Sequence, residues 1–285
     1  MDRVHRRVAE NRDRQDSAAR PARARSGGAR VIDHDEVVVA GRRLDVARIA
    51  GTTARKPIVL LHEGLGSIEL WRDFPQQLAA ATGRALVIYS RYGHGRSERL
   101  GEARTVDYMH DEARIVLPAL LDVLGLDAPV LFGHSDGASI ALIYAASSPL
   151  GVTALVLEAP HVFVEPLTIR SIEQARDAAA SGDLVAKLGR YHADAATTFR
   201  GWNDIWLHPD FARWDITALL PAIRAPLLVL QGSDDEYGTP AQITAIVGAL
   251  PQASTVLLQA CGHSPHRSQT AIVLERTRAF LDALP

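Results

Sequence analysis

The sequence predicts an α/β domain built on a mostly parallel eight-stranded sheet with helices on both faces, and three observations lead to that reading. Short Val/Ile/Leu-rich runs alternate with longer stretches of helical period, as expected of strands joined by crossover helices. The pentapeptide Gly133-His134-Ser135-Asp136-Gly137 follows the apolar run APVLF and leads into the helix-like stretch Ala138 to Ala146, which reads as strand, sharp turn and helix. The alternation then lapses from His161 to Pro221, where helical patterns occur without a convincing strand.

Taken in chain order, EVVVA and LDVARIA flank the turn-like Gly41-Arg42-Arg43, which predicts an antiparallel hairpin for the first two strands. PIVLLHEG forms the third strand and is followed by an amphipathic helix from Leu70 to Ala81. RALVIYS is the fourth strand, a helix from Thr105 to Leu124 comes next, and APVLFG is the fifth strand, ending at the serine turn. VTALVLEAP reads as a sixth buried strand. Beyond the helical block come APLLVLQG, a helix from Pro240 to Ala249, STVLLQA, and a closing helix from Thr270 to Leu284. Residues 161–221 are expected to form a helical cap inserted after the sixth strand, above the C-terminal edge of the sheet where open α/β folds bind ligands. Residues 31–160 and 222–285 then make the core, and residues 1–30 lie outside it.

Composition narrows the function classes. The 285 residues are 47% hydrophobic, enough for a sizeable core. The formal charge of -2 conceals an asymmetry: the first thirty residues carry nine Arg against four acids, leaving 22 basic and 29 acidic residues in the body. The body therefore lacks the basic footprint of a nucleic-acid binder, and no such partner is expected. The leader is poor in apolar residues, ends in Ser26-Gly27-Gly28, and is predicted to be disordered. It has no apolar h-region of a secretory signal, and its interspersed acids do not fit a transit peptide. With no apolar run of membrane-spanning length, a cytoplasmic monomer or homodimer without membrane contact is expected. The single Cys261 cannot form an internal disulfide and is read as a packing residue; no CxxC or His/Cys cluster calls for a metal, and no cofactor is expected.

Ser135 is the candidate nucleophile. A turn that lifts a serine above a sheet brings the residues two positions away against backbone, where only small side chains fit, hence Gly133 and Gly137. A register with Asp136 as nucleophile would put His134 at one of those small positions and is rejected. A serine hydroxyl needs a general base, which needs an orienting carboxylate. Two loops at strand ends supply candidates: Ser233-Asp234-Asp235-Glu236 after the seventh strand and Gly262-His263-Ser264-Pro265-His266 after the eighth. Asp235, Asp234 and Glu236 compete for the acid, and His263 and His266 for the base. His266, beyond Pro265, reads as a surface or cap contact, and the other histidines show no nucleophile-facing context.

From about Val37 to the C-terminus the chain resembles the α/β-hydrolase superfamily. The resemblance rests on the G-x-S-x-G turn, the loop His62-Glu63-Gly64-Leu65-Gly66-Ser67 and the segment Arg91-Tyr92-Gly93-His94-Gly95-Arg96-Ser97. It implies that the acid is Asp235 and the base His263. It also implies an oxyanion hole made by the backbone N–H of Asp136 and one from the Gly64 and Leu65 region. The family loop usually reads H-G-x-G; Glu63 interrupts it here, leaving open which amide points inward. Glu63 is read as a loop hydrogen-bonding group toward backbone or Arg91, with a cationic substrate group as the alternative. The string H-E-G-L-G lacks the second histidine of a zinc-protease motif, so no metal is implied. Asp136, where the family often has Met, Leu or Gly, either braces a neighbouring loop or tunes the site.

Three of the four tryptophans, Trp202, Trp206 and Trp214, fall in the expected cap and predict an apolar substrate pocket. The expected reaction is hydrolysis of a small carboxylic ester, thioester or lactone through an acyl-enzyme on Ser135. Carbon–carbon bond hydrolysis of a ring-cleavage product uses the same residues and is the nearest alternative, ahead of peptidase or perhydrolase activity. A different class, a hydrolase-fold ligand receptor with slow turnover, also fits these residues.

Overall fold

Strands β1 (Asp33–Val39) and β2 (Arg42–Ile49) form the hairpin that Gly41 closes, its φ of 76° supplying the left-handed turn. The computed structural model describes residues 33–148 and 151–284, so the Arg-rich leader expected to be disordered lies outside the described residues. The remaining strands are β3 (Ile58–Leu61), β4 (Leu86–Tyr89), β5 (Val130–His134), β6 (Ala154–Glu158), β7 (Leu227–Gly232) and β8 (Ser254–Leu258). They form one eight-stranded sheet in the order β1-β2-β4-β3-β5-β6-β7-β8, antiparallel through β2 and parallel from β4 to β8.

Because side chains alternate across a strand, each central strand feeds two cores. Val59, Leu61 and Leu131 enter one apolar cluster, whereas Ile58, Leu60, Val130 and Phe132 enter the other. Helix α1 (Phe74–Thr82) packs on the second cluster. The first receives α2 (Tyr108–Asp111), α3 (Leu117–Val123) and α4 (Asp136–Ser147). The expected helix from Thr105 to Leu124 is thus broken. A π-helical segment, Glu112–Val116, separates α2 from α3 where Pro118, near the start of α3, removes a backbone donor. The expected helix from Leu70 likewise begins later, at Phe74, after a 3₁₀ turn over Glu69–Trp71, with Pro75 in its first turn.

Between β6 and β7 lie α5 (Pro166–Ser181), α6 (Leu184–Leu188), α7 (Ala195–Trp206) and two 3₁₀ turns, with one isolated bridge, Phe163 to Asp215. Asp194 caps α7 by accepting from Thr197 N–H at 3.1 Å. Helix α7 docks on the loop after β4, where Thr198 Oγ1 donates to Gly93 O at 2.6 Å. Helix α8 (Ala241–Ala249) follows β7, and α9 (Pro265–Ser268) and α10 (Thr270–Asp282) close the chain. No helix among the described residues is long and apolar enough to cross a membrane.

The turn from β5 into α4 has no spare room. A Cβ on Gly137 would stand 2.1 Å from Leu61 O, and one on Gly133 2.4 Å from Gly137 O, backbone atoms that cannot swing aside. A Cβ on Gly248, in α8, would meet nothing within 4 Å. Gly137→Ala is therefore expected to lower unfolding free energy by about 2 kcal/mol. Gly248→Ala should raise it by roughly 0.5–1 kcal/mol through helix propensity. Denaturant melts of both variants check the pair; equal midpoints would contradict the packing argument.

Candidate active site

Ser135 stands at the apex of that turn with φ 54° and ψ -117°, a conformation rarely adopted by non-glycine residues. The strain is held by its neighbours: Ser135 N–H donates to Glu158 O at 2.9 Å, and Ala138 and Ser139 N–H return to Ser135 O at 2.9 and 3.1 Å. His263, on the loop between β8 and α9, brings Nε2 to 2.9 Å from Ser135 Oγ and Nδ1 to 2.7 Å from Asp235 Oδ1. Asp235 Oδ1 also accepts from the amides of Tyr237 at 2.9 Å and Gly238 at 3.1 Å, and its side chain is 1% exposed.

The competition among the three acids resolves geometrically. Asp234 Oδ1 takes the Ser233 hydroxyl at 2.9 Å, and Glu236 Oε2 takes the His263 backbone N–H at 3.0 Å, so only Asp235 meets the imidazole ring. Burial works against charge on Asp235, but the His263 hydrogen bond and charge outweigh it and hold the carboxyl below its usual range. Burial likewise opposes an imidazolium at His263. The hydrogen bond and charge of Asp235, with Glu236 and Glu63 behind them, win and raise its pKa.

His266 is not a surface or cap contact as its position after Pro265 suggested. Pro265 opens α9 and turns His266 inward, where Nδ1 lies 2.6 Å from Glu158 Oε2 and the ring packs on Trp71 and Phe74. Nor are the other histidines remote. His134 Nε2 donates to His263 O at 2.7 Å, and the ring centroids of His134 and His161 lie 5.2 and 5.6 Å from that of His263. Together His134 and Glu236 hold the His263 peptide by its carbonyl and its amide. The position of His134 inside the serine turn was the sequence signal for its part.

The loop that carries Glu63 and Leu65 is held by Arg91 and by His192. Arg91, 1% exposed, donates to Glu63 O at 2.8 Å and lies 3.5 Å from Asp136 Oδ2, which also accepts the Tyr108 hydroxyl at 2.7 Å. Asp136 is thus a brace: through Arg91 it joins α4 to the loop after β3. From the segment between β6 and β7, His192 accepts Gly95 N–H at Nδ1 and donates from Nε2 to Leu65 O, both at 2.9 Å. Gly64 is required because the Trp202 indole lies on it; a Cβ there would stand 2.2 Å from the ring.

Of the amides expected to face an oxyanion, that of Asp136 opens α4 and has no intrahelical acceptor. The Leu65 N–H instead donates to the Glu63 carboxylate, so its use as an oxyanion donor requires Glu63 to move. Burial pushes the Glu63 carboxyl up, with the Leu65 amide pulling against it.

Over these groups lies a chamber of about 250 Å³, lined by Ser135, His263, Trp202, Trp206, Glu63 and Glu236 among others. Trp214 does not reach it, contrary to expectation. Its indole stacks on Phe211 at 5.6 Å and sits 6.4 Å from Trp206, so it belongs to the internal packing of the segment between β6 and β7. The apolar side of the chamber is completed instead by Ile172 and Leu188.

These elements match known proteins. The model of the alpha/beta hydrolase family matches residues 58–276. A proline iminopeptidase of Lactobacillus delbrueckii subsp. bulgaricus is 26% identical over 267 residues, spanning 79% of this chain and 89% of its own. An N-formylmaleamate deformylase of Pseudomonas putida is 28% identical over 174 residues, 55% of this chain and 65% of its own. Among solved structures, naproxen esterase (carboxylesterase NP) from Bacillus subtilis shares the fold with a TM-score of 0.69 at 18% identity, covering 88% of this chain and 92% of that one. With its sheet order, serine turn and matched span in agreement, the chain belongs to the alpha/beta hydrolase family.

Proposed function

We propose that the protein is a serine hydrolase that cleaves a small carboxylic ester, thioester or lactone through an acyl-enzyme on Ser135. One observation carries the reading: a single imidazole, His263, lies within hydrogen-bond reach of both Ser135 Oγ and a buried carboxylate inside a chamber of about 250 Å³. That volume is below the roughly 300–1,000 Å³ of sites for drug-sized ligands, which favours a small substrate.

In the proposed reaction the Ser135 hydroxyl gives its proton to His263 Nε2 as Oγ attacks the acyl carbon. Asp235 keeps the Nδ1–H tautomer and stabilises the imidazolium that forms. Negative charge on the former carbonyl oxygen meets the Asp136 amide and an amide of the Glu63-Gly64-Leu65 loop. His263 then returns the proton to the leaving alcohol, and water, activated by the same ring, releases the acid. Residues 161–221 act as the lid in this reading, supplying Trp202 and Trp206 to the chamber.

Amide cleavage next to a free amine is a second reading, prompted by relatives named proline iminopeptidases. It is favoured by two carboxylates, Glu63 and Glu236, that line the chamber where an ammonium group would meet them. Turnover of p-nitrophenyl butanoate against L-prolyl p-nitroanilide distinguishes the two, the ester being the expected substrate.

On that ester, Ser135→Ala and Asp235→Asn are each expected to lower kcat by about 10⁴-fold or more with the fold intact. Retained turnover in either would contradict the assignment. Since the base must be neutral, kcat/KM should rise with pH through the His263 pKa, with a midpoint above the ordinary histidine value of about 6.5. Glu236→Gln keeps an acceptor for the His263 amide but removes a charge that favours the imidazolium, so the acid limb should move to lower pH. A pH–rate profile that is superimposable on the wild type would contradict this electrostatic account.

A further inference from the structure

His161 is a buried imidazole that the proposed reaction does not use. The residue is 2% exposed, lies just beyond β6, and its ring lines the chamber. Its backbone is pinned to α4 one turn after the nucleophile: Ser139 Oγ donates to His161 O at 2.6 Å, and His161 N–H returns to Ser139 Oγ at 3.3 Å. Trp206 packs edge-on against the ring at 5.2 Å, and His263 lies on another side at 5.6 Å. The ring is therefore held rigidly beside the reacting groups.

Among the described residues, neither ring nitrogen of His161 has a hydrogen-bond partner, and Nδ1 is sealed from solvent. The Nε2–H tautomer avoids an orphan N–H on the sealed Nδ1 and puts the donor on the ring nitrogen that is not sealed. The ring is also neutral: burial first, and then the neighbouring His263, push its pKa down to about 4. In that tautomer His161, which lines the chamber, offers an uncharged N–H donor with no acceptor from the protein among the described residues. Such a donor suits a neutral oxygen. A substrate carboxylate would gain no counter-charge from it and would meet two carboxylates, Glu63 and Glu236, against one cation, Arg267, in the same chamber.

Resting on the serine hydrolase reading, we propose that His161 is a specificity-determining residue whose Nε2–H binds a second, neutral oxygen of the substrate, a keto or ether oxygen close to the scissile acyl group. The chamber then prefers oxo- or oxa-substituted esters to plain alkyl ones of the same shape. Rejecting an isostere that leaves such a donor unpaired is the more effective kind of discrimination, because the buried polar group is penalised as well as the bond lost.

The test uses isosteric pairs in which one methylene becomes an ether oxygen. On the acyl side these are p-nitrophenyl pentanoate against its 3-oxa and 4-oxa counterparts; on the alcohol side, butyl acetate against 2-methoxyethyl acetate. Each kcat/KM ratio is divided by the ratio for alkaline hydrolysis, which removes intrinsic reactivity. The full-length wild type should favour the oxygen compound of at least one pair by about tenfold. His161→Phe should abolish that preference, and His161→Gln, which keeps an N–H donor, should restore part of it. No preference in any pair, or one that survives in His161→Phe, overturns the inference. Ratios within one variant cancel any loss of folded enzyme, and the Gln variant covers a Phe variant that fails to fold. Ser135-dependent turnover of the alkyl esters reports separately on the hydrolase reading, so the two can fail independently.

Discussion

The strained backbone of Ser135 is the constraint on which the rest of the site depends. A φ of 54° at a non-glycine residue costs on the order of 1–3 kcal/mol and persists only where the surroundings over-determine it. Here they do. Gly133 and Gly137 press backbone on backbone, β6 takes the Ser135 amide, and α4 begins at the next residue. The same geometry that exposes the hydroxyl leaves the first amide of α4 without an intrahelical acceptor, so one turn supplies both the nucleophile and the oxyanion donor of the proposed reaction.

Charge is distributed around that turn in two layers. Near the chamber, Asp235 contacts the His263 ring, Glu236 its amide, and Glu63 acts through space, so the imidazolium that the proposed reaction requires would meet three carboxylates. Beneath it, Arg91 and Asp136 form a buried pair; Arg91 also donates to Glu63 O and His62 O, and Asp136 accepts the Tyr108 hydroxyl. A pair this deeply buried contributes less through net stability than through geometry. It ties the loop after β3 to α4, and His192 holds the same loop from the segment between β6 and β7.

Much of this was legible in the sequence because strand and turn signals are local. The eight apolar runs are the eight strands, and Gly133-x-Ser135-x-Gly137 carries its own steric reason. Helix ends were less legible. Pro75 and Pro118 sit inside stretches of helical period, and in both cases a helix starts one residue before the proline, which falls in its first turn. Least legible were side chains whose role depends on long-range approach. Nothing near His266 announces Glu158, 108 positions away, and the partner of His192 is the carbonyl of Leu65, 127 positions away. The tryptophans illustrate the same limit: composition pointed to an apolar chamber, but only tertiary packing separates Trp202 and Trp206, which line it, from Trp214, which does not.

The central claim is that Ser135 is an activated nucleophile. The most direct measurement is reaction with a fluorophosphonate, followed by intact-mass and peptide-mapping mass spectrometry of the full chain. The account predicts one adduct per chain on the peptide carrying Ser135, with labelling slowed severely in His263→Ala. A well-folded wild type that hydrolyses esters yet stays unlabelled, or carries the adduct at another residue, would contradict it.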